Sequence, residues 1–143
     1  MCIVNFLKSN ENAKLPKKAH EDDACSDLYS VEDVSIAPGK TRMIKTGLKV
    51  ASIPHGYRLS IFDRSGFRFK GIFGSSVGII DENYRGELGV ILYNSTENVL
   101  EIKIGDRIAQ CALEKVEPVA YRFVDAVEES VRGENGFGST GLN

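Results

Sequence analysis

Residues able to do chemistry gather in the C-terminal tail and in four short interior segments. Residues 132–143 hold four glycines, one arginine, one phenylalanine and an adjacent Ser-Thr pair. Glycine lets a backbone approach a ligand closely and turn its N–H groups toward it. Arg132 carries a planar fork of donors that matches phosphate oxygens, and Phe137 offers a flat face on which a base can stack. The combination reads as a lid over a phosphate-bearing nucleotide. It is equally the composition of a disordered glycine-rich terminus, and the tail alone does not separate the two.

Among the interior segments, Asp63-Arg64-Ser65-Gly66 stands between a strand-like run and the one plausible helical turn, residues 65–70. Unpaired N–H groups at a helix start attract anions, and Arg64 and Ser65 add a charge and a hydroxyl. Asp63 opposes such a site by roughly 0.7 to 3 kcal/mol if its carboxylate stands ~6 Å from a phosphate. Residues 78–86 read as a β-hairpin with Asp81, Glu82, Asn83 and Tyr84 at its tip. A carboxylate beside a ring can act as a general base above a stacking platform, or the segment is only a polar turn. Asp27 lies in an acidic loop of the kind that holds Mg²⁺ through water, or on solvated surface. Residues 105–110 join two strands and end in Gln110. No GxxxxGK[ST] phosphate loop is present.

The elements that must position these groups are strands. Leu59 and Ile61 alternate with Arg58 and Ser60, and Leu100, Ile102 and Ile104 alternate with Glu101 and Lys103, one face buried and one wet. Residues 88–93 are apolar on both faces and predict a central strand. Residues 37–40 and 53–56 read as turns. Only residues 65–70 and 125–131 have room for a helical turn, and residues 1–40 are the least strand-like. The pattern predicts an all-β sandwich or barrel of one domain, residues 1–143, with residues 131–143 as a mobile lid.

Composition narrows the function. A chain of 143 residues with 42 % hydrophobic and 27 % charged content is ample for one core. The formal charge of −2 argues against stable nucleic-acid binding, while Arg64, Arg68, Lys70, Arg85, Arg107 and Arg132 leave room for a local basic pocket. Three cysteines without CxxC spacing point to a reducing compartment, cytoplasmic or nuclear. No apolar run approaches the ~18 residues of a membrane span.

Taken in order, five segments resemble the motifs of the trimeric dUTPase family: residues 24–28, 64–66, 78–86, 105–110 and 132–141. Together they cover most of the chain. The resemblance implies a jelly-roll-like β-barrel, a homotrimer with sites at subunit interfaces, and Mg²⁺-dependent hydrolysis of dUTP to dUMP and pyrophosphate. Its members keep uracil out of DNA and supply dUMP for dTMP synthesis, and a virus-encoded origin is compatible with it. Uracil would enter the third-motif hairpin, with Gly78, Ile80 and Gly89 among the substrate-binding positions and no room for thymine's methyl. Tyr84 would pack on the deoxyribose. Asp81 would deprotonate the water that attacks the α-phosphorus. Arg64, Ser65, Gly66 and Gln110 would hold phosphates, and Asp27 would reach the bridging Mg²⁺ through water. Arg132, Phe137, Gly138, Ser139 and Thr140 would close over the nucleotide.

Four positions depart from the family pattern: Cys25 and Asn135 stand where glycine is common, Asp63 where proline is usual, and Ser75 where many bacterial members carry a uracil-contacting Asn. Two other readings remain: a dCTP deaminase of the same superfamily, and a nucleotide-sensing module without catalysis. The first would need a site for cytosine's amino group. Retention of Asp27, Asp81 and Arg132 speaks against the second.

Overall fold

Strands account for nearly all the regular structure in the computed structural model, which describes residues 1–74 and 77–134. In chain order the elements are β1 (Asn5–Lys8), β2 (Ser26–Tyr29), β3 (Val34–Ile36), β4 (Thr41–Ser52), β5 (Tyr57–Phe62), α1 (Ser65–Phe69), β6 (Ile72–Gly74), β7 (Gly78–Ile80), β8 (Glu87–Asn94), β9 (Leu100–Ile102) and β10 (Arg107–Lys115). They form two four-stranded sheets, ordered β1-β4-β8-β6 and β2-β10-β5-β7, and a β3-β9 ribbon. Every ladder is antiparallel. This is the all-β architecture that the patterning predicts, of the jelly-roll-like kind that the resemblance implies.

Alternation explains the packing. Leu59 and Ile61 of β5, Leu88, Val90 and Leu92 of β8, and Ile44, Leu48 and Val50 of β4 turn into one core with Leu28, Ile102 and Ile108. Each such side chain, fully buried, contributes ~1.5–3 kcal/mol. Asn94 is buried among them with its amide fully used: Nδ2 donates to the carbonyls of Ile36 (2.8 Å) and Asn98 (2.7 Å), and Oδ1 accepts from the Thr96 amide and hydroxyl. Burial pushes the Cys111 thiol up to about 12, helped by Cys25 and Asp27.

Residues 1–40 are sparse in strand, as expected, with three short strands whose partners lie far along the chain. Other expectations need correction. The alternating segment from Leu100 to Ile104 stops at Ile102, because Asp106 caps the Lys103 amide in a tight turn and leaves Ile104 exposed. Residues 125–131 form no helix: Val127 and Val131 are exposed, and so short a helix without a packing partner does not repay its nucleation. The strand expected to be central does lie between β4 and β8's other neighbour β6. Yet only one of its faces is covered. Ile91 and Tyr93 stay exposed beside Met43 and Phe73.

Candidate active site

Three adjacent strands of the second sheet build the first group. Asp27 on β2 stands opposite Gln110 on β10, which stands opposite Phe62 on β5. Residues paired across a sheet share a face, so the chain beyond Phe62 emerges beside Asp27. Arg64 Nε donates to Asp27 Oδ1 at 3.0 Å, and Arg107 Nη1 lies 3.4 Å from Oδ2. The Asp27 side chain is 12 % exposed, so both contacts are partly shielded from water. Gln110 Nε2 donates to the Asp63 carbonyl at 2.8 Å, which ties the start of the Arg64 segment to β10.

Helix α1 follows at once. Arg64 takes its N-cap position with extended backbone and no side-chain cap, so first-turn N–H groups at Ser65 and Gly66 face outward without intrahelical acceptors. Two guanidiniums meet on Asp27, and a hydroxyl and these donors follow Arg64 directly in the chain, groups suited to a polyanion. Arg107, counted among the arginines of a local basic pocket, had no role assigned within its motif. Its spacing of three from Gln110 would put it on the opposite face of a regular strand. A register shift between Arg107 and Ala109 brings it round to Asp27.

Asp63 does not confront these groups with a bare charge. Its Oδ1 accepts from the Gly74 amide at 2.8 Å, and Arg68 Nη1 lies 3.8 Å from Oδ2. A Cβ at Gly74 would collide with Asp63 Oδ1, so this bond in its present geometry needs glycine there.

The third motif is not a paired hairpin. β7 pairs with β5, while β8 pairs with β4 and β6, so the strands flanking residues 81–86 belong to different sheets. The β6 ladder on β8 ends at the Gly74–Leu92 pair. Beyond it, the facing edges of β7 and β8 carry no ladder partner among the described residues. Between them lies a narrow slot of about 50 Å³, reached by Ile61, Asp63, Gly74, Gly78, Gly89 and Val90. Unpaired strand edges present main-chain donors and acceptors, the groups that read the edge of a flat heterocycle. Ile80 lies half-buried at the end of β7, packed against the core.

A turn closes the arch, with the Tyr84 amide donating to the Asp81 carbonyl at 3.0 Å. Arg85 Nη1 donates to the carbonyls of Glu82 and Tyr84, both at 2.7 Å. Tyr84 donates its hydroxyl to the Glu87 carbonyl, and its ring lies over Gly86, where a Cβ would strike it. Glu82 accepts from the Gly56 amide at 2.9 Å and contacts His55 Nδ1 at 3.0 Å. The Gly56 amide and then His55 hold its carboxyl below the usual 4.5. Glu82, which motif reading left without a role, thus fixes the turn, while Asp81 is exposed with no hydrogen bond to its carboxylate among the described residues.

These two groups do not meet within one chain. Ile80 pairs with Leu59 and Gly78 with Ile61, so Asp81 lies toward the Arg58 end of β5, whereas Arg64 follows its other end. Six residue steps of extended chain, at ~3.3 Å each, span roughly 20 Å. Arg132 is exposed in the stretch after β10, which has neither strand nor helix through residue 134. Phe137, Gly138, Ser139 and Thr140 lie outside the described residues, as do Ser75 and Asn135.

Comparison with known proteins follows the same residues. A model of the dUTPase family matches residues 11–141. The chain is 48 % identical over 140 residues to the deoxyuridine 5′-triphosphate nucleotidohydrolase of Picosynechococcus sp., across 96 % of this chain and 98 % of that protein. It is 36 % identical over 140 residues to the protein of the same name from Mus musculus, across 98 % and 86 %. The dUTPase of Staphylococcus bacteriophage 80alpha with dUpNHpp is similar in structure, with a TM-score of 0.88 at 30 % identity over 98 % of this chain and 99 % of that one. A mutant dUTPase from phage phi11 of S. aureus, solved to reveal the coordination of a structural Mg(II) ion, gives 0.80 at 26 % identity over 89 % and 99 %.

Proposed function

The chain belongs to the dUTPase family, and on that premise we propose how its residues divide the hydrolysis of dUTP to dUMP. The reaction needs charge neutralisation, alignment and an aimed water more than covalent catalysis. Arg64, Ser65, Gly66 and Gln110 hold the phosphates. Uracil enters the slot between β7 and β8, read by main-chain groups of Gly78, Ile80 and Gly89. Tyr84, its ring fixed against Gly86, fills the volume a ribose 2′-hydroxyl would need. Asp81 accepts the proton of the water that attacks the α-phosphorus. The observation that carries this reading is the slot: two strand edges from different sheets, without ladder partners among the described residues and each carrying a glycine, Gly78 and Gly89, on one cavity.

Mg²⁺ supplies charge neutralisation on the triphosphate. Among the described residues no group of three or more His, Cys, Asp or Glu could hold a metal ion. Both oxygens of Asp27 already face guanidiniums. That donor set fits an ion that would be held mainly by substrate and water, with Asp27 as the residue that would reach it through water.

We further propose a homotrimer whose sites combine groups from different chains. The ~20 Å between Asp81 and Arg64 supports it, as does the uncovered apolar strip of Met43, Phe73, Ile91 and Tyr93. Arg132 and residues 137–140 close over the nucleotide as a lid on the single domain 1–143. No helix among the described residues is long and apolar enough to cross a membrane, and a reducing cytoplasmic or nuclear setting suits the three free cysteines. Asp81→Asn tests the base directly. It should bind dUTP almost normally and lose ~10²-fold or more in turnover. Near wild-type turnover would remove Asp81 from that role.

A further inference from the structure

Asp63 belongs to the second sheet by position and to the first by contact. It follows β5 directly, and its carboxylate accepts the amide of Gly74 at the end of β6 at 2.8 Å. β5 and β6 share no ladder among the described residues, so this bond is a strut between the sheets. It sits at the mouth of the slot. On one side Gly78 is anchored through its ladder to Ile61, two residues before Asp63. On the other, Gly74 and Gly89 are anchored through β8. Asp63 and Gly74 line both the slot, about 50 Å³, and the broader groove of about 670 Å³ beside Arg68 and Gln110. The Asp63 side chain is 13 % exposed, so water competes weakly for the bond.

We propose that Asp63 is a positioning residue that sets the width of the base slot, and through it the discrimination between uracil and a 5-methylated pyrimidine. The proposal rests on the dUTP-hydrolysing reading. A carboxylate acceptor on a main-chain N–H makes a short, strong bond, and the sheets cannot part at the slot mouth without breaking it. Without the strut, the Gly74 amide loses its acceptor, the walls relax, and the slot holds uracil less firmly while admitting thymine. Arg68, exposed and 3.8 Å away, is secondary.

Wild type, Asp63→Ala, Asp63→Asn and Gly74→Ala are compared in steady-state hydrolysis of dUTP and dTTP, with amide exchange at residue 74 as a second readout. Asp63→Ala should raise KM for dUTP about tenfold with kcat within about threefold, and narrow the dUTP-to-dTTP ratio of kcat/KM about tenfold, the scale of one charge-assisted hydrogen bond. Its Gly74 amide should exchange faster. Asp63→Asn keeps an acceptor oxygen and should restore most of the loss. Gly74→Ala, which breaks the strut from the other side, should reproduce Asp63→Ala. A loss confined to kcat, an unchanged substrate ratio, or an Asn variant no better than Ala overturns the proposal. If the wild type fails to hydrolyse dUTP, the functional reading falls separately. Relative binding of dUMP and dTMP to the same variants then decides the strut: unchanged selectivity overturns it, narrowed selectivity upholds it.

Discussion

Asp27→Asn separates the charge of the phosphate cluster from its shape. The substitution keeps the side chain's size and one oxygen but removes the carboxylate that orients Arg64 at 3.0 Å and contacts Arg107 at 3.4 Å. The first contact is short and shielded, of the kind that contributes ~1.5–3 kcal/mol. The second is longer, with Arg107 50 % exposed, and an exposed pair contributes under ~1 kcal/mol. A loss of ~2–3 kcal/mol of positioning corresponds to roughly 30- to 150-fold in kcat/KM for dUTP. Stability should fall less, because both guanidiniums can turn to water once released. Pyrophosphate release and thermal melts on the same preparations measure the two effects. If the effect runs through Arg64, the double variant with Arg64→Gln should lose less than the sum of the single losses. Turnover within about threefold of wild type, or fully additive losses, would refute the coupling.

Three further outcomes are expected. Asn94→Ala orphans the Ile36 carbonyl and the Thr96 amide and removes one of two donors to the Asn98 carbonyl; it should cost about 3 kcal/mol, roughly 10 °C in Tm for a chain of this size, and a shift of a degree or two would contradict the network's importance. The Gly56 amide and His55 lower the Glu82 carboxyl below 4.5 in the fold. Its stabilisation is therefore fully present above about pH 4.5 and lost as pH falls through the folded value, so Glu82→Gln should flatten the acid-side decline of Tm, and an unchanged decline would remove Glu82 as its source. Finally, Asp81→Asn and Arg64→Gln chains, each nearly inactive alone, should regain about a quarter of the wild-type rate when randomly mixed into trimers with shared sites. A mixture no more active than its components would place each site within one chain.

Local signals were legible where the physics is local. The alternation of Leu59 and Ile61 with Arg58 and Ser60 places β5 at the residues where it stands, and the turns at residues 37–40 and 53–56 bracket β4. Asp27, Arg64 and Gln110, drawn from three separate motifs, do meet on one sheet face. What escaped was pairing at a distance. Residues 81–84 announce a turn but not that β7 and β8 enter different sheets, a choice made by β4, β5 and β6. Arg107 reaches Asp27 only through a register shift. Asp63, read as an electrostatic liability, is neutralised by an amide eleven positions on, which no window around it reveals. β1, β2 and β3 are too short to carry a period of their own.

Initial rates of pyrophosphate release from dUTP, dTTP, dCTP and UTP, measured side by side with Mg²⁺, test the central claim most directly. A slot that excludes a 5-methyl group and a Tyr84 ring that excludes a 2′-hydroxyl should give dUTP a kcat/KM about 10²-fold or more above dTTP and UTP, with dCTP equally poor and no ammonia released. Comparable rates on all four, or ammonia from dCTP, would contradict it.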